Sequence, residues 1–272
     1  MIEQTNVKGP EMAVEIQTPS PAPDIREVMR RRGIREWSLT VADTCELTPR
    51  MRRVTLTADQ LDGFDPKPGQ DVVLMLPDAD GALGRRHYTV RRYDPASRRI
   101  DIDVVMHGDS TPATRWALGS LAGDEVLAFG PRGRNVLNEG ADWRLFVGDE
   151  TAIPGFFGMI EALPAGSRAR AVIEIQSDAD RQPVESAGEV EIEWLSRNGE
   201  PAQPSSPRLI EVLAGFEPPQ GVGHVYLLGE TSTVRAQRQE LVRRGFPKDR
   251  IFAEGYWRPG RFGGHDHVDD AH

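Results

Sequence analysis

One cysteine in 272 residues excludes several kinds of chemistry at once. Cys45 cannot form a disulfide within the chain. Alone it cannot build a cysteine-ligated zinc site or an iron–sulfur cluster. Long apolar runs are missing too, so no segment reads as a transmembrane helix. The N-terminus has no basic segment leading into an apolar core, the mark of a secretory signal. Positive charge is in deficit, with a net charge of −9 at pH 7. An acidic surface disfavours non-specific binding to nucleic acid or anionic lipid. The Gly-x-Gly-x-x-Gly fingerprint of dinucleotide-binding dehydrogenases does not occur. These absences describe a cytoplasmic monomer with no nucleic-acid partner, no integral membrane association and no metal site.

The composition is otherwise that of a globular enzyme, with 38% hydrophobic and 28% charged residues. Residues 1–24 are rich in Pro and Glu without a sustained period, and read as a disordered tail. Residues 26–33 suit a short helix stopped by Gly33. From Ile34 to Val136 the signals are those of strands. Ile100, Ile102 and Val104 alternate with Asp101 and Asp103, the period of two of a half-buried strand. Val72 to Leu76 form an apolar run ended by Pro77. Several such strands at short spacing predict an antiparallel barrel. The arginine clusters at 26–35, 50–53 and 85–99 read mostly as solvated faces.

From Trp143 the pattern changes. Apolar strands near 144–147, 171–175, 190–195 and 225–228 alternate with helical stretches, one running to Leu163 and one from Val234 to Arg244. That alternation implies a parallel sheet with crossover helices. Residues 197–207 read as a loop. The expected fold class is therefore two-domain, β followed by α/β. An antiparallel six-stranded β-barrel covers residues 25–138. A parallel-sheet α/β domain covers 139–262. A polar tail, 263–272, holds three of the six histidines and reads as disordered rather than as a metal site.

Two segments carry candidate chemistry. Arg86, His87, Tyr88, Thr89 and Val90 lie on one strand, where Arg86, Tyr88 and Val90 share a face. Arg offers a fork for phosphate, Tyr an aromatic plane, Thr a small hydroxyl. After the alternating strand come His107, Gly108 and Thr111, then Pro112, Ala113 and Thr114. Thr111 as N-cap and Pro112 at the first helical position expose free amides at a helix start, a setting for an anion. Taken singly, each is also an ordinary edge strand or capped helix.

In order, the motifs are more specific. Arg86-x-Tyr88-Thr89-x-Arg91 leads into His107-Gly108-Asp109, Pro112-Ala113 and Gly130-Pro131-Arg132-Gly133. Gly148-Asp149-Glu150-Thr151-Ala152-x-Pro154, Leu228-Gly229-Glu230 and Tyr256-Trp257-Arg258 come next. This series resembles the siderophore-interacting protein family of the ferredoxin-reductase-like superfamily. The resemblance implies an FAD-binding barrel followed by an NAD(P)H-binding domain. It implies electron transfer from NADH or NADPH through FAD to a ferric siderophore. By the same resemblance Arg86 meets the FAD pyrophosphate, Tyr88 packs on the isoalloxazine and Thr89 bonds near its N5, with no other catalytic residue. His87, Val90, His107, Gly108, Thr111, Ala113 and Thr114 complete the FAD site. His87 stands where many relatives carry proline. Asp149, Glu150, Thr151, Ala152, Gly229, Glu230 and Thr231 form the nicotinamide crevice. Arg258, Arg261 and Lys67 meet the substrate. Asp178 and Asp180 suit a ribose hydroxyl, Arg181 a 2′-phosphate. A reductase for another acceptor, or a siderophore carrier without reductase activity, uses much of the same sequence.

Overall fold

The computed structural model describes residues 25–78, 80–106, 111–260 and 266–268. A short helix, α1 (Ile25–Arg31), packs Met29 on the outside of the first sheet, against Val73, Met75 and Phe129. Gly33 stops it with φ of 69°, a conformation that costs glycine little. Six longer strands come after it: β1 (Glu36–Thr48), β2 (Met51–Thr57), β3 (Asp71–Pro77), β4 (Leu83–Thr89), β6 (Arg99–Val105) and β7 (Glu125–Arg132). A three-residue strand, β5 (Arg92–Asp94), lies between β4 and β6. The helix α2 (Pro112–Gly119) lies between β6 and β7.

The sheet therefore has seven strands, in the order β4-β3-β7-β1-β2-β6-β5, not six. The extra strand has a simple origin. The chain bends at Val90–Arg91, so its first half pairs with β3 and its second half with β6. The Arg91 amide bonds to the Asp101 carbonyl at 2.9 Å. One continuous segment thus occupies both edges and curls the sheet around its core.

The alternating strand behaves as its period demands. Ile100, Ile102 and Val104 are buried in that core with Leu39, Leu56 and Leu74. Asp101 and Asp103, on the other face, are not simply solvated. Arg53 forms a two-pronged bond to Asp103 at 2.7 and 2.8 Å, and Thr55 donates to Asp101 at 2.7 Å. Arg53 is thus drawn out of the solvated role its cluster suggested.

The second sheet begins with β8 (Trp143–Asp149) and helix α3 (Ile153–Glu161). Then come β9 (Arg168–Ile175), β10 (Glu189–Ser196), α4 (Pro207–Ala214), β11 (Gly223–Glu230), α5 (Thr231–Arg243), β12 (Ile251–Trp257) and β13 (Asp266–His267). Strand order is β10-β9-β8-β11-β12-β13, all parallel except β13. The chain leaves β8 toward β9, then returns to β11 on the other side. The carboxyl ends of β8 and β11 therefore flank a topological switch point, where open α/β sheets bind ligands. Helix α3 covers one face, with Phe146, Phe156 and Ile160. Helices α4 and α5 cover the other, with Trp143, Leu213 and Leu241.

Three elements here carry little signal in the sequence. Helix α4 has five apolar positions in only eight residues, a run too short to repeat its period. Strand β12 alternates poorly because both its faces carry small or polar residues. Within the stretch read as a tail, Asp266–His267 pairs with Glu254–Gly255, and Val268 is buried against the second sheet. Helix α5 also starts three residues earlier than its apolar pattern, because Glu230 caps it.

The two sheets meet along α3. Arg91, buried at the bend of the barrel, reaches Glu161 through two bonds of 2.7 and 2.5 Å. Gly158 lets the helix approach the strand: a Cβ there would already touch the Arg91 carbonyl at 3.5 Å. Removing Glu161 would strand the buried guanidinium, whose other carboxylate, Asp103, lies 3.9 Å away. Glu161→Ala is expected to lower the free energy of unfolding by about 3 kcal/mol, the low end for a broken buried pair. Urea denaturation of both proteins measures this. An unchanged midpoint would show that the pair does not hold the seam.

Candidate functional site

Two regions concentrate polar groups, one on β4 and α2 of the barrel, the other at the carboxyl ends of the parallel strands. On β4, the Arg86 guanidinium is largely buried and bonds to Asp78 and to the Arg85 carbonyl. A Cβ on Gly84 would lie 2.5 Å from the Asp78 carboxylate and 2.8 Å from Arg86, so glycine there permits the pairing. The Tyr88 ring packs on the barrel core. Burial raises the proton affinity of its hydroxyl, and the nearby Arg86 charge opposes that. Val90 is a core residue, 5% exposed, and its amide bonds to the Gln70 carbonyl. Its side chain packs in the barrel core at the wall of the cleft that Lys67 also lines.

His87 points to the opposite face, as alternation requires. Its Nδ1 lies 2.8 Å from Asp71, with Arg132 at 3.3 Å. Thr89 shares that face and meets the second domain. A Cβ on Gly155 of α3 would sit 3.7 Å from both branches of Thr89. The Thr89 side chain also lies close to Tyr256 on β12.

At α2 the capping is as the sequence predicts. Thr111 accepts from the Thr114 amide at 3.2 Å, and Pro112 holds the first position. Thr114 itself is 1% exposed and its hydroxyl accepts from Thr111, so it serves the helix rather than a ligand. Ala113 packs on the core cluster that also receives Tyr88. His107 and Gly108 lie outside the described residues. The donor set on β4 and α2, a buried arginine fork, an aromatic ring, hydroxyls and a helix start, suits a flat ring joined to a phosphate chain.

The second region is built around Asp149, at the end of β8. One carboxylate oxygen accepts from the Thr151 amide at 2.9 Å and from its hydroxyl at 2.5 Å. The other accepts from the Glu230 amide at 2.9 Å and from the Trp257 indole at 2.8 Å. One side chain thereby ties together the ends of β8, β11 and β12. Gly229 makes room for it: φ is 132°, and a Cβ would lie 2.5 Å from Asp149. Burial, reinforced by Glu150, pushes the Asp149 carboxyl up to about 6, while the bonds from Thr151 and Trp257 hold it down.

The remaining carboxylates are equally engaged. Glu150 takes two bonds from Arg197, at 2.9 and 2.5 Å, and Glu174 a third at 3.3 Å. Glu230 caps α5 through the amides of Ser232 and Thr233 and also accepts from Ser205. Thr231 bonds to the Trp257 carbonyl at 3.0 Å. Ala152 is fully buried. The sequence places the right residues at the switch point, but their side chains are used in building it. Backbone atoms and the crevice shape are what they leave for a ligand. Asp180 is likewise committed, to Ser177 and Thr48, and Asp178 pairs with Arg181.

Comparison with known proteins adds to this geometry. Residues 82–135 match the model of the siderophore-interacting FAD-binding domain, and residues 141–260 that of the siderophore-interacting protein. The ferric vibriobactin reductase ViuB of Vibrio cholerae is 32% identical over 232 residues, 77% of this chain and 84% of that one.

The chain belongs to the siderophore-interacting protein family.

A siderophore utilization protein from T. fusca has the same fold, with a TM-score of 0.78 and 32% identity over 87% of this chain and 97% of that one. The Amycolatopsis cytochrome P450 reductase GcoB shares the architecture at 21% identity and a TM-score of 0.60, covering 83% of this chain and 71% of that one. As a member of the family, the chain carries its FAD-binding domain in the curled antiparallel sheet. No helix among the described residues is long and apolar enough to cross a membrane.

The family's substrate side draws attention to exposed basic residues. Lys67 lies in the loop before β3, paired with Asp65 at 3.0 Å, on the rim of a cleft of about 950 Å³. Arg258 lies just after β12 and is exposed; Arg261 lies outside the described residues. A third basic residue, Arg134, escapes sequence reasoning. Gln70 accepts from the Lys67 amide at 3.0 Å and donates to the Gly133 carbonyl at 3.1 Å. Asn135 then donates to the Tyr256 hydroxyl at 3.2 Å. These bonds join the segments that carry Lys67, Arg134 and Arg258. The only sequence signal for Arg134 is its place after the Gly-Pro-Arg-Gly turn.

Proposed function

We propose that this protein is an FAD-dependent reductase of ferric siderophores that draws its electrons from NADH or NADPH. The observation that supports it best is the convergence at Thr89. There the FAD-motif strand, the start of α3 and the end of β12 meet, beside a crevice at the sheet's switch point. Bound FAD would take a hydride from the nicotinamide and release its two electrons singly to Fe(III).

The chain's own task is positioning. Arg86 would hold the pyrophosphate, aided by the start of α2. Tyr88 would offer the ring an aromatic plane, and Thr89 a hydroxyl at its reactive edge. Asp149 fixes the ends of β8, β11 and β12, and so shapes the floor on which a nicotinamide would rest. Lys67, Arg134 and Arg258 would supply positive charge for an anionic ferric complex. ViuB, named as a ferric vibriobactin reductase, supports this reading of the acceptor. Reduction would release the metal, because a siderophore holds Fe(II) far more weakly than Fe(III).

The expected behaviour is specific. The protein binds FAD and is yellow. NADH or NADPH bleaches it without air, and a ferric siderophore then restores the colour while a ferrous chelator reports Fe(II). Bleaching without reoxidation by any ferric complex would leave a reductase of some other acceptor. A protein that binds ferric siderophores but cannot be loaded with FAD would be a carrier.

A further inference from the structure

In a parallel α/β sheet, the segment after the strand beside the switch point meets the adenosine ribose of a dinucleotide. A carboxylate there suits the 2′-hydroxyl of NADH, an arginine the 2′-phosphate of NADPH. Here that strand is β9, which runs beside β8 with Glu174 opposite Asp149. Asp178, Asp180 and Arg181 follow it, in the turn that leaves the sheet. Arg197, just after β10, belongs to the same place, since its amide bonds to the Ile175 carbonyl at 2.8 Å.

These side chains differ in what they have left to offer. Arg197 is buried and engaged on all sides. Its guanidinium holds Glu150 at 2.9 and 2.5 Å and Glu174 at 3.3 Å, and its Nε donates to the Glu200 carbonyl at 3.1 Å. Asp180 is 4% exposed and serves the turn itself, accepting from the Ser177 amide and hydroxyl at 3.0 and 3.1 Å. Arg181 is half exposed, but its Nε and one terminal nitrogen both bond to a single oxygen of Asp178, at 3.1 and 2.7 Å. Asp178 is the group on offer. Its side chain is 68% exposed, and Arg181 holds only one of its two oxygens. A further cation, Arg208 at the start of α4, donates to the Ser196 carbonyl at 2.6 Å, at the end of the edge strand.

The charge around the turn points the same way. Glu150, Glu174, Asp178 and Asp180 face Arg181 and Arg197, four carboxylates against two guanidiniums. A 2′-phosphate would bring further negative charge to cations that are already paired. A hydroxyl brings none, and it can donate to the Asp178 oxygen that Arg181 does not hold.

We propose that the crevice selects NADH over NADPH and that Asp178 makes the choice. It accepts from the ribose 2′-hydroxyl, repels a 2′-phosphate and keeps Arg181 from receiving one. The inference rests on the reading that the crevice takes a nicotinamide dinucleotide.

The test compares the unaltered protein with Asp178→Ala, Asp178→Ala combined with Arg181→Ala, and Arg208→Ala. Stopped-flow absorbance without air gives the rate at which NADH and NADPH bleach the FAD-loaded protein. Calorimetry of the same proteins compares adenosine 5′-phosphate with adenosine 2′,5′-bisphosphate, which needs no electron transfer. The unaltered protein is expected to favour NADH and the nucleotide without the 2′-phosphate. In Asp178→Ala that preference should fall roughly tenfold, the worth of one charge contact at a part-exposed site, because the carboxylate is gone and Arg181 is released. Adding Arg181→Ala should abolish the gain for the 2′-phosphate. Arg208→Ala should leave the preference unchanged. A preference for NADPH in the unaltered protein, or one that Asp178→Ala does not move, would overturn the inference. So would loss of 2′-phosphate binding in Arg208→Ala, which would assign the phosphate to Arg208. If neither coenzyme bleaches the flavin, the reductase reading fails, and the calorimetry still decides whether Asp178 reads the ribose. Failure to bind either nucleotide would remove the inference too.

Discussion

Arg197→Ala is expected to destabilise the protein by about 3–5 kcal/mol, the range for removing one partner from a buried ion pair. Arg197, Glu150 and Glu174 are at most 8% exposed in their side chains. Without the guanidinium, two carboxylates are left in a low-dielectric edge beside Asp149. At about 2–4 °C per kcal/mol for a chain of this class, the melting temperature falls by roughly 10 °C. The loss depends on pH with a definite sign. Unpaired buried carboxylates have folded-state pKa values above their unfolded ones, as Asp149 already does at about 6. The deficit is therefore fully present near pH 8 and shrinks as pH falls toward 5, where they take up protons. Thermal melts of both proteins from pH 5 to 8 measure this. A deficit that stays constant or grows on acidification would mean that Arg197 stabilises the edge by packing rather than by charge.

Arg86→Ala is expected to weaken FAD binding about 10–100-fold, the equivalent of one charge-assisted hydrogen-bonded contact of about 1.5–3 kcal/mol. Arg86→Lys should fall between, since lysine keeps the charge but not the fork. Titration of FAD into apoprotein, monitored by quenching of flavin fluorescence, gives the constants. Thr114→Ser is the useful control: it keeps the hydroxyl, and Thr114 faces the helix cap, so its FAD affinity should be nearly unchanged. Equal affinity in Arg86→Ala and the unaltered protein would remove Arg86 from the phosphate site. The bond from Arg86 to Asp78 adds a further expectation. A ligand phosphate must share or replace that carboxylate, so Asp78→Asn should not weaken FAD binding.

Much of the site was legible because local rules place it. Thr111 and Pro112 announce a capped helix by residue type alone, and α2 has that cap. Asp149, Thr151, Gly229 and Glu230 fall after short apolar strands, and so at the carboxyl ends of a parallel sheet. What those side chains touch was not legible. Asp149 reads as a ligand contact in a Gly-Asp-Glu-Thr turn, but it bonds to Glu230 and Trp257, 81 and 108 residues away. Thr114 and Val90 sit in the right motifs yet face inward, because only the three-dimensional packing says which face of each element is covered. Arg91 and Glu161, separated by 70 residues, give no sign of their partnership in sequence.

The sequence by itself determined the family, the order of a β domain and an α/β domain, and the strand that carries Arg86 to Thr89. Periodicity, capping and ordered motifs are local properties, and they survive in one dimension. The tertiary structure decided the rest. It split the strand at Val90 to close the sheet, and it used the crevice carboxylates as internal ties. It also brought Tyr256 to Asn135, 121 residues away. Those outcomes depend on which groups meet after burial, where an unpaired charge or donor is costly, and no spacing along the chain encodes that.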